Sequence, residues 1–321
     1  MPTNKLLFVV GSAYTGSSIL SVLMDRVKGV VSMGEGARVY RPGSMFGPCA
    51  TCGAADAGDD CSLFKEWVPA GEEDLGNGHE ATIAHAVDVL GRKQHEDRAT
   101  IDVGESIYQF VGRKYPDAHT IVDSSKDPTM MVEQRQTGPN YETNVVFLSK
   151  TPQEAFASYH RHPAPMTPHD CVVEWLRVNM YYYGFLEING ASVLHVSYRD
   201  LARRSEETIA DICKFCGIKS EYRPECHKPY GHILGGNPAV SSVVSHNDDL
   251  CFRNGTRATH MGGKYAEVDP LEPLHITYDD SHKNLPFDFR SECQHEMDKR
   301  AHKIGPMLQL LGYGANEMRL Y

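Results

Sequence analysis

No apolar run in this chain approaches the roughly 18–20 residues that a membrane-crossing helix requires, so no such helix is expected. A basic excess is missing as well. The 32 Lys and Arg stand against 42 Asp and Glu, a formal net charge of −10, which argues against general nucleic-acid binding. The sequence shows no basic n-region followed by a long apolar segment and a small-residue cleavage site. Nine cysteines are an odd number, scattered along 321 residues, and do not lay out a disulfide framework. The expectation is a reduced, cytoplasmic protein with neither nucleic acid nor membrane as partner. Internal repeats and low-complexity tracts are also lacking. What remains is a chain long enough to bury a full core as one domain over 1–321.

What the sequence does have is alternation. Apolar β-type runs fall at 5–10, 30–33, 119–123, 143–149 and 191–197, with helical patterns at 16–27, 80–92, 104–115, 152–161, 170–189 and about 290–311. The near-continuous apolar run at 144–148 suits a parallel strand covered on both faces. Strands alternating with helices predict an α/β fold, a doubly wound parallel sheet flanked by helices, with ligand at the carboxyl ends of the strands. Two stretches break the alternation. Residues 40–77, rich in Gly, Cys and acidic residues, read as a Cys-rich lid or substrate insertion. Residues 217–285, rich in Gly, His, Pro and Asn, read as a long C-terminal loop region covering the site. The run Tyr181-Tyr182-Tyr183, with Trp175 and Phe185, spans most of a helical turn, so at least two of the tyrosines are expected in the core.

The first strand breaks at Gly11 into Gly11-Ser12-Ala13-Tyr14-Thr15-Gly16-Ser17-Ser18, which opens straight into a helix. Strand, tight loop and helix N-terminus form a phosphate cradle, because the first helical amides lack internal partners and the helix dipole favours an anion. The spacing is that of a P-loop, but Ser17 stands where a nucleotidase has the lysine that reaches the β- and γ-phosphates. A triphosphate hydrolase or kinase thereby loses its main cation. A second anchor is the strand running into Lys150-Thr151-Pro152. Proline opens a helix where its missing N–H costs nothing, and Ser158, eight residues after Lys150, can reach the same anion. A third is Ser192–Leu201, SVLHVSYRDL, read as a strand ending in an aromatic and charged turn.

In this order and spacing, the motifs resemble the sulfotransferases that use 3′-phosphoadenosine 5′-phosphosulfate (PAPS), over about residues 5–285. Further matches resemble the bacterial branch: Gly34-Glu35, Val122-Asp123-Ser124-Ser125-Lys126, Gly231–Pro238 and Ile276-Thr277-Tyr278-Asp279-Asp280. The resemblance implies a P-loop-like fold and PAPS as co-substrate, with no metal required. It implies that Ala13, Tyr14, Thr15, Gly16, Ser17 and Ser18 hold the 5′-phosphosulfate, and that Lys150 and Ser158 hold the 3′-phosphate. Tyr198 would lie near the adenine, and Gly235, Gly236 and Asn237 would cover the nucleotide. Glu35 matches the glutamate that serves as base in some bacterial relatives, with Asp123 as the alternative.

Two departures stand out. Tyr14 occupies the usual Arg or Lys of the first loop, and Lys150-Thr151 replaces the commoner Arg-Asp. Lys126, at a neighbouring strand end, is the expected substitute for the first cation. Cys49-x-x-Cys52 with Cys61 has the outline of three zinc legs, with His79 as a possible fourth, but a single Cys-x-x-Cys pair reads first as part of a lid, and no metal is assigned. A small-molecule acceptor with a hydroxyl or amine is expected, neutral or cationic rather than polyanionic given the acidic chain. A nucleotide kinase on the same scaffold and an inactive binder of PAPS or its product remain as alternatives. The sequence assigns no oligomeric state.

Overall fold

The computed structural model describes residues 5–37, 49, 61, 63, 106–128, 130–131, 134, 141–161, 165–223, 230–234 and 284–320. Its centre is a five-stranded parallel sheet in the order β2-β3-β1-β4-β5. The strands are β1 (Lys5–Val10), β2 (Val30–Gly34), β3 (Thr120–Asp123), β4 (Glu142–Ser149) and β5 (Ser192–Ser197). β1 lies between β3 and β4, with Phe8 opposite Asp123 on one side and Val145 on the other. The chain therefore leaves β1 towards one edge and, after β3, crosses to the other. The crevice at that reversal, outside the carboxyl ends of β3, β1 and β4, is where an open α/β sheet binds ligand.

β1 reads as an unbroken apolar run because it has two cores to fill. Leu6, Phe8 and Val10 pack on one face with Ile107, Phe110, Phe156 and Trp175. Leu7 and Val9 pack on the other with Leu20, Leu23, Met24, Ile209 and Ile212. Successive side chains of a strand point to opposite faces, so helices on both sides require apolar residues at every position.

The first face is covered by α2 (Ile107–Lys114), α3 (Pro152–His160), α4 (Pro168–Ile188), α7 (Phe287–Lys299) and α8 (Ala301–Leu310). The second is covered by α1 (Ser17–Asp25), α5 (Tyr198–Arg203) and α6 (Ser205–Phe215). Capping boxes start α2, with Ser106 and Gln109, and α3, with Thr151 and Glu154. Each cap of this type contributes about 1 kcal/mol. No described helix is long and apolar enough to cross a membrane.

Two expectations need correction. The segment after β5 is not a turn: Ser197 caps Asp200 and begins α5, and α6 follows directly. The last helical pattern is two helices, broken at Arg300 (φ −114°), whose guanidinium folds back on Glu296. The break lets Cys293 and Met297 of α7 and Ile304, Met307 and Leu308 of α8 enter one core. Of the three tyrosines, Tyr182 is buried and Tyr183 packs partly against the core, while Tyr181 is exposed. The helical pattern at 80–92, nearly all of the 40–77 insertion and most of 217–285 lie outside the described residues.

Candidate anion-binding site at the strand ends

The loop after β1 is shaped by close approach. Gly11 has φ 144°, and a Cβ there would lie 2.1 Å from the Leu148 carbonyl oxygen of β4. Thr15 donates its hydroxyl to the Ser12 carbonyl at 2.9 Å, closing the turn. Tyr14 takes φ 64° and Gly16 φ 92°. A non-glycine residue in the left-handed region costs of order 1–3 kcal/mol and marks a place the surroundings hold by force. Gly16 gives α1 no side-chain cap, so the loop delivers helix amides together with the buried Ser17 and Ser18 to the crevice.

Two lysines flank this loop from the neighbouring strands. Lys126 follows β3, and its ammonium donates to Ser17 Oγ at 3.1 Å and to Glu35 Oε1 at 3.0 Å. The pair is largely sheltered, with side-chain exposures of 20% and 14%. Lys126 is also one of two described non-glycine residues with positive φ, at 57°; the other is Tyr14. Its carbonyl is held by the Tyr182 hydroxyl at 2.6 Å.

Lys150 follows β4, is 6% exposed, and donates to Ser158 Oγ at 3.0 Å. Its ammonium lies 4.1 Å from the centre of the Tyr198 ring, a cation–π contact that contributes about 0.5–2 kcal/mol. Tyr198 in turn packs under the loop: a Cβ on Gly16 would meet its ring at 3.0 Å. The Lys150 carbonyl accepts from Trp175 Nε1 at 3.0 Å. Trp175 and Tyr182 are seven residues apart on α4, two helical turns, so one helix face fixes the backbone of both lysines.

Glu35 is placed by backbone contacts at the end of β2. Its amide donates to the Leu234 carbonyl at 2.8 Å, and the Ser124 amide donates to the Gly34 carbonyl at 2.7 Å. Asp123 serves a different purpose from Glu35. It is 2% exposed and accepts from the Tyr108 hydroxyl at 2.7 Å, from the Ser125 amide at 2.7 Å, from the Ser125 hydroxyl, and from the Gly36 backbone. Burial pushes its carboxyl above the usual range against those donors. The ammonium of Lys126 thus pairs with Glu35, while Asp123 ties β3 to α2 and to the turn after β2.

The loop residues Ala13 to Ser18, Lys126, Glu35, Lys150, Ser158 and Tyr198 all gather at one crevice. Gly235, Gly236, Asn237, Cys52 and His79 lie outside the described residues. Trp175 and Tyr182 stand in an aromatic helical run whose sequence points only to core packing for some of its members; their hydrogen bonds go to distant carbonyl oxygens, which carry no sequence signature. His232 likewise has no role of its own in the sequence pattern. That side chain meets Cys49 and Cys61, a grouping for which the sequence offers His79 or another residue as the further ligand.

No protein-family model matches the chain, and no curated protein matches it. Among solved structures, the sulfotransferase domain of the olefin synthase of Synechococcus PCC 7002 is 16% identical, with a TM-score of 0.47, covering 94% of this chain and 95% of that one. The sulfotransferase domain from the curacin biosynthetic pathway is 17% identical, with a TM-score of 0.43, covering 94% and 99%. A sulfotransferase from Mycobacterium avium is 12% identical, with a TM-score of 0.37, covering 68% and 65%.

Proposed function

We propose that the chain is a sulfotransferase that takes a sulfuryl group from PAPS and passes it to a hydroxyl or amine of a small, neutral or cationic acceptor in the cytoplasm. The observation that carries this reading is the pair of strand-end lysines on either side of a lysine-free P-loop. One is locked on Ser158 and Tyr198, and the other bridges Ser17 and Glu35. The donor set suits a nucleotide with anionic groups at both ends of its sugar. Amides of 13–18 with Ser17 and Ser18 would hold the 5′-phosphate, and Lys150 with Ser158 would hold the 3′-phosphate that ATP lacks.

PAPS would supply the activated sulfuryl group. The chain's part is placement and charge, as expected for an in-line transfer whose charge spreads over non-bridging oxygens. Lys126 would set a positive charge beside the first turn of α1, where charge builds on the leaving phosphate. Glu35, its ion-pair partner, would take the proton from the acceptor. Tyr182 would fix the lysine's backbone so that the ammonium stays between these two groups.

A magnesium-dependent kinase on this scaffold would need an available carboxylate near the loop, at the end of β3. Asp123 stands there, but its oxygens are engaged by Tyr108, Ser125 and Gly36. That commitment speaks against the kinase reading.

The test is calorimetry with 3′-phosphoadenosine 5′-phosphate (PAP) and with ADP. PAP should bind far more tightly, by roughly ten- to 150-fold for each charge-assisted hydrogen bond to the 3′-phosphate. Lys150→Ala should erase most of that preference. Equal affinities in the parent protein would remove the main support for the reading. PAP binding without sulfate transfer to any acceptor in a metabolite extract would favour an inactive binding protein.

A further inference from the structure

Away from the lysines, the Cys-bearing insertion and the segment around 231–234 meet at a cluster the proposed reaction does not use. Cys61 Sγ lies 3.3 Å and Cys49 Sγ 3.6 Å from one atom, His232 Nδ1, and the three atoms all fall within 4.8 Å of one another. Both cysteines are buried and neither forms a disulfide. Hydrogen bonding does not account for this. A ring nitrogen of neutral imidazole carries either one hydrogen or one in-plane lone pair, so it serves one sulfur well and not two.

A shared metal does account for it. Tetrahedral zinc with Zn–S near 2.3 Å and Zn–N near 2.0–2.1 Å separates sulfur from nitrogen by about 3.5 Å. The two observed separations bracket that value. Thiolate with imidazole is a soft donor set that suits zinc and is a poor match to magnesium or calcium. Cys49 also opens the Cys49-x-x-Cys52 pair, a spacing common in structural zinc sites.

The surrounding backbone says what such an ion would do. Leu234, two residues after His232, bridges Gly34 on one side and Cys49 on the other. Its amide donates to the Met33 carbonyl at 3.0 Å, and its carbonyl accepts from Glu35. On the far side of His232, the amides of Tyr230 and Gly231 donate to the Asp25 carboxylate, which also accepts from the Ser32 amide at 2.7 Å. The segment carrying His232 is thus bonded to β2 through Leu234 at one end and to Asp25, the last residue of α1, at the other, and Cys49 and Cys61 reach it from the insertion.

We propose that Cys49, Cys61 and His232 bind a structural Zn²⁺ that fastens the insertion and the 231–234 segment to the end of β2, behind Glu35. The ion is not part of the transfer chemistry, and the claim stands whether or not the chain transfers sulfate. Full-length protein purified without chelator should carry about one zinc per chain by elemental analysis. Cys61→Ser and His232→Ala should each lower this below about a tenth, and Cys213→Ala, a buried thiol on α6, should leave it unchanged. Where those variants fail to fold, chelator-stripped parent protein titrated with Co²⁺ serves instead. It should develop a thiolate-to-cobalt charge-transfer band and the intense visible bands of a tetrahedral site, both displaced by Zn²⁺. Parent protein that holds no zinc and takes up no cobalt overturns the proposal. So does zinc retained in both variants, or a Cys49–Cys61 disulfide found by mass spectrometry in the protein as purified.

Discussion

Lys126 and Lys150 occupy matching places, each just past a strand that flanks β1, yet the protein treats them in opposite ways. Lys150 is sealed. Its ammonium rests between Ser158 and the Tyr198 ring, and the next residue, Thr151, caps α3. Lys126 is held in tension. Its backbone sits in the left-handed region, its side chain is a fifth exposed, and its charge is met by a carboxylate. With Ser158 and the Tyr198 ring holding the Lys150 ammonium in one position, the sealed corner can meet an anion at a fixed place. The strained corner can redistribute its contacts among Ser17, Glu35 and a ligand. One geometry suits recognition and the other suits chemistry.

The largest effects should come from breaking the strained corner. If Glu35 is the base, Glu35→Gln keeps PAP affinity and lowers turnover roughly 10²–10⁴-fold. Lys126→Ala should slow transfer about 10²–10³-fold, the scale of losing one preorganised donor to a developing anion. Both are read by following PAP release from PAPS in the presence of acceptor. Unchanged turnover in Glu35→Gln would leave an acceptor that needs no base, such as an amine already deprotonated at working pH. Unchanged turnover in Lys126→Ala would end the comparison, because both corners would then only bind.

Much of this arrangement was legible in the sequence, and what was not has a common cause. The strands emerged because apolar runs on a doubly covered sheet are continuous. The Lys150–Ser158 pair emerged because eight residues on a proline-started helix make two turns. Lys126 could be placed at a strand end, though not its left-handed backbone, nor its contacts with Ser17 and with the Tyr182 hydroxyl, which lie 109 and 56 residues away. The α6 pattern is present in Ile209, Ile212 and Cys213, with acidic residues in the first turn, but the aromatic and charged residues that precede it read as a turn. His232 met Cys61 across 171 residues, a separation that no local spacing announces.

A sharper test of the two corners uses α4, which serves both. Tyr182→Phe removes the donor to the Lys126 carbonyl, and Trp175→Phe removes the donor to the Lys150 carbonyl. Each loses a net hydrogen bond of about 0.5–1.5 kcal/mol, or roughly two- to twelvefold. The loss should land on different constants. Tyr182→Phe should lower kcat and leave the PAP dissociation constant nearly alone. Trp175→Phe should weaken PAP and leave kcat at saturation nearly alone. If both variants merely lower the melting temperature and shift kcat and affinity together, α4 is a packing element and not a positioning one.

The smallest expected effect belongs to Tyr14, the residue that stands where the resemblance leads one to expect a cation. Its ring packs edge-on to Tyr159, with centroids 6.5 Å apart, and burial pushes its hydroxyl above the usual phenol range. A neutral hydroxyl of that kind offers at most a neutral hydrogen bond, whereas Lys126 brings a full charge to the adjacent Ser17. Tyr14→Phe keeps the ring packing and removes only the oxygen, so transfer should fall by no more than about tenfold. Tyr14→Lys in the Lys126→Ala background asks the converse question, whether a cation supplied from the loop can replace one supplied from β3. Partial recovery of transfer there, measured by the same PAP release, would show that the crevice needs a charge and not a particular strand to carry it. An inactive Tyr14→Phe beside a near-normal Lys126→Ala would make the loop tyrosine the donor, and the strained lysine only the keeper of Glu35.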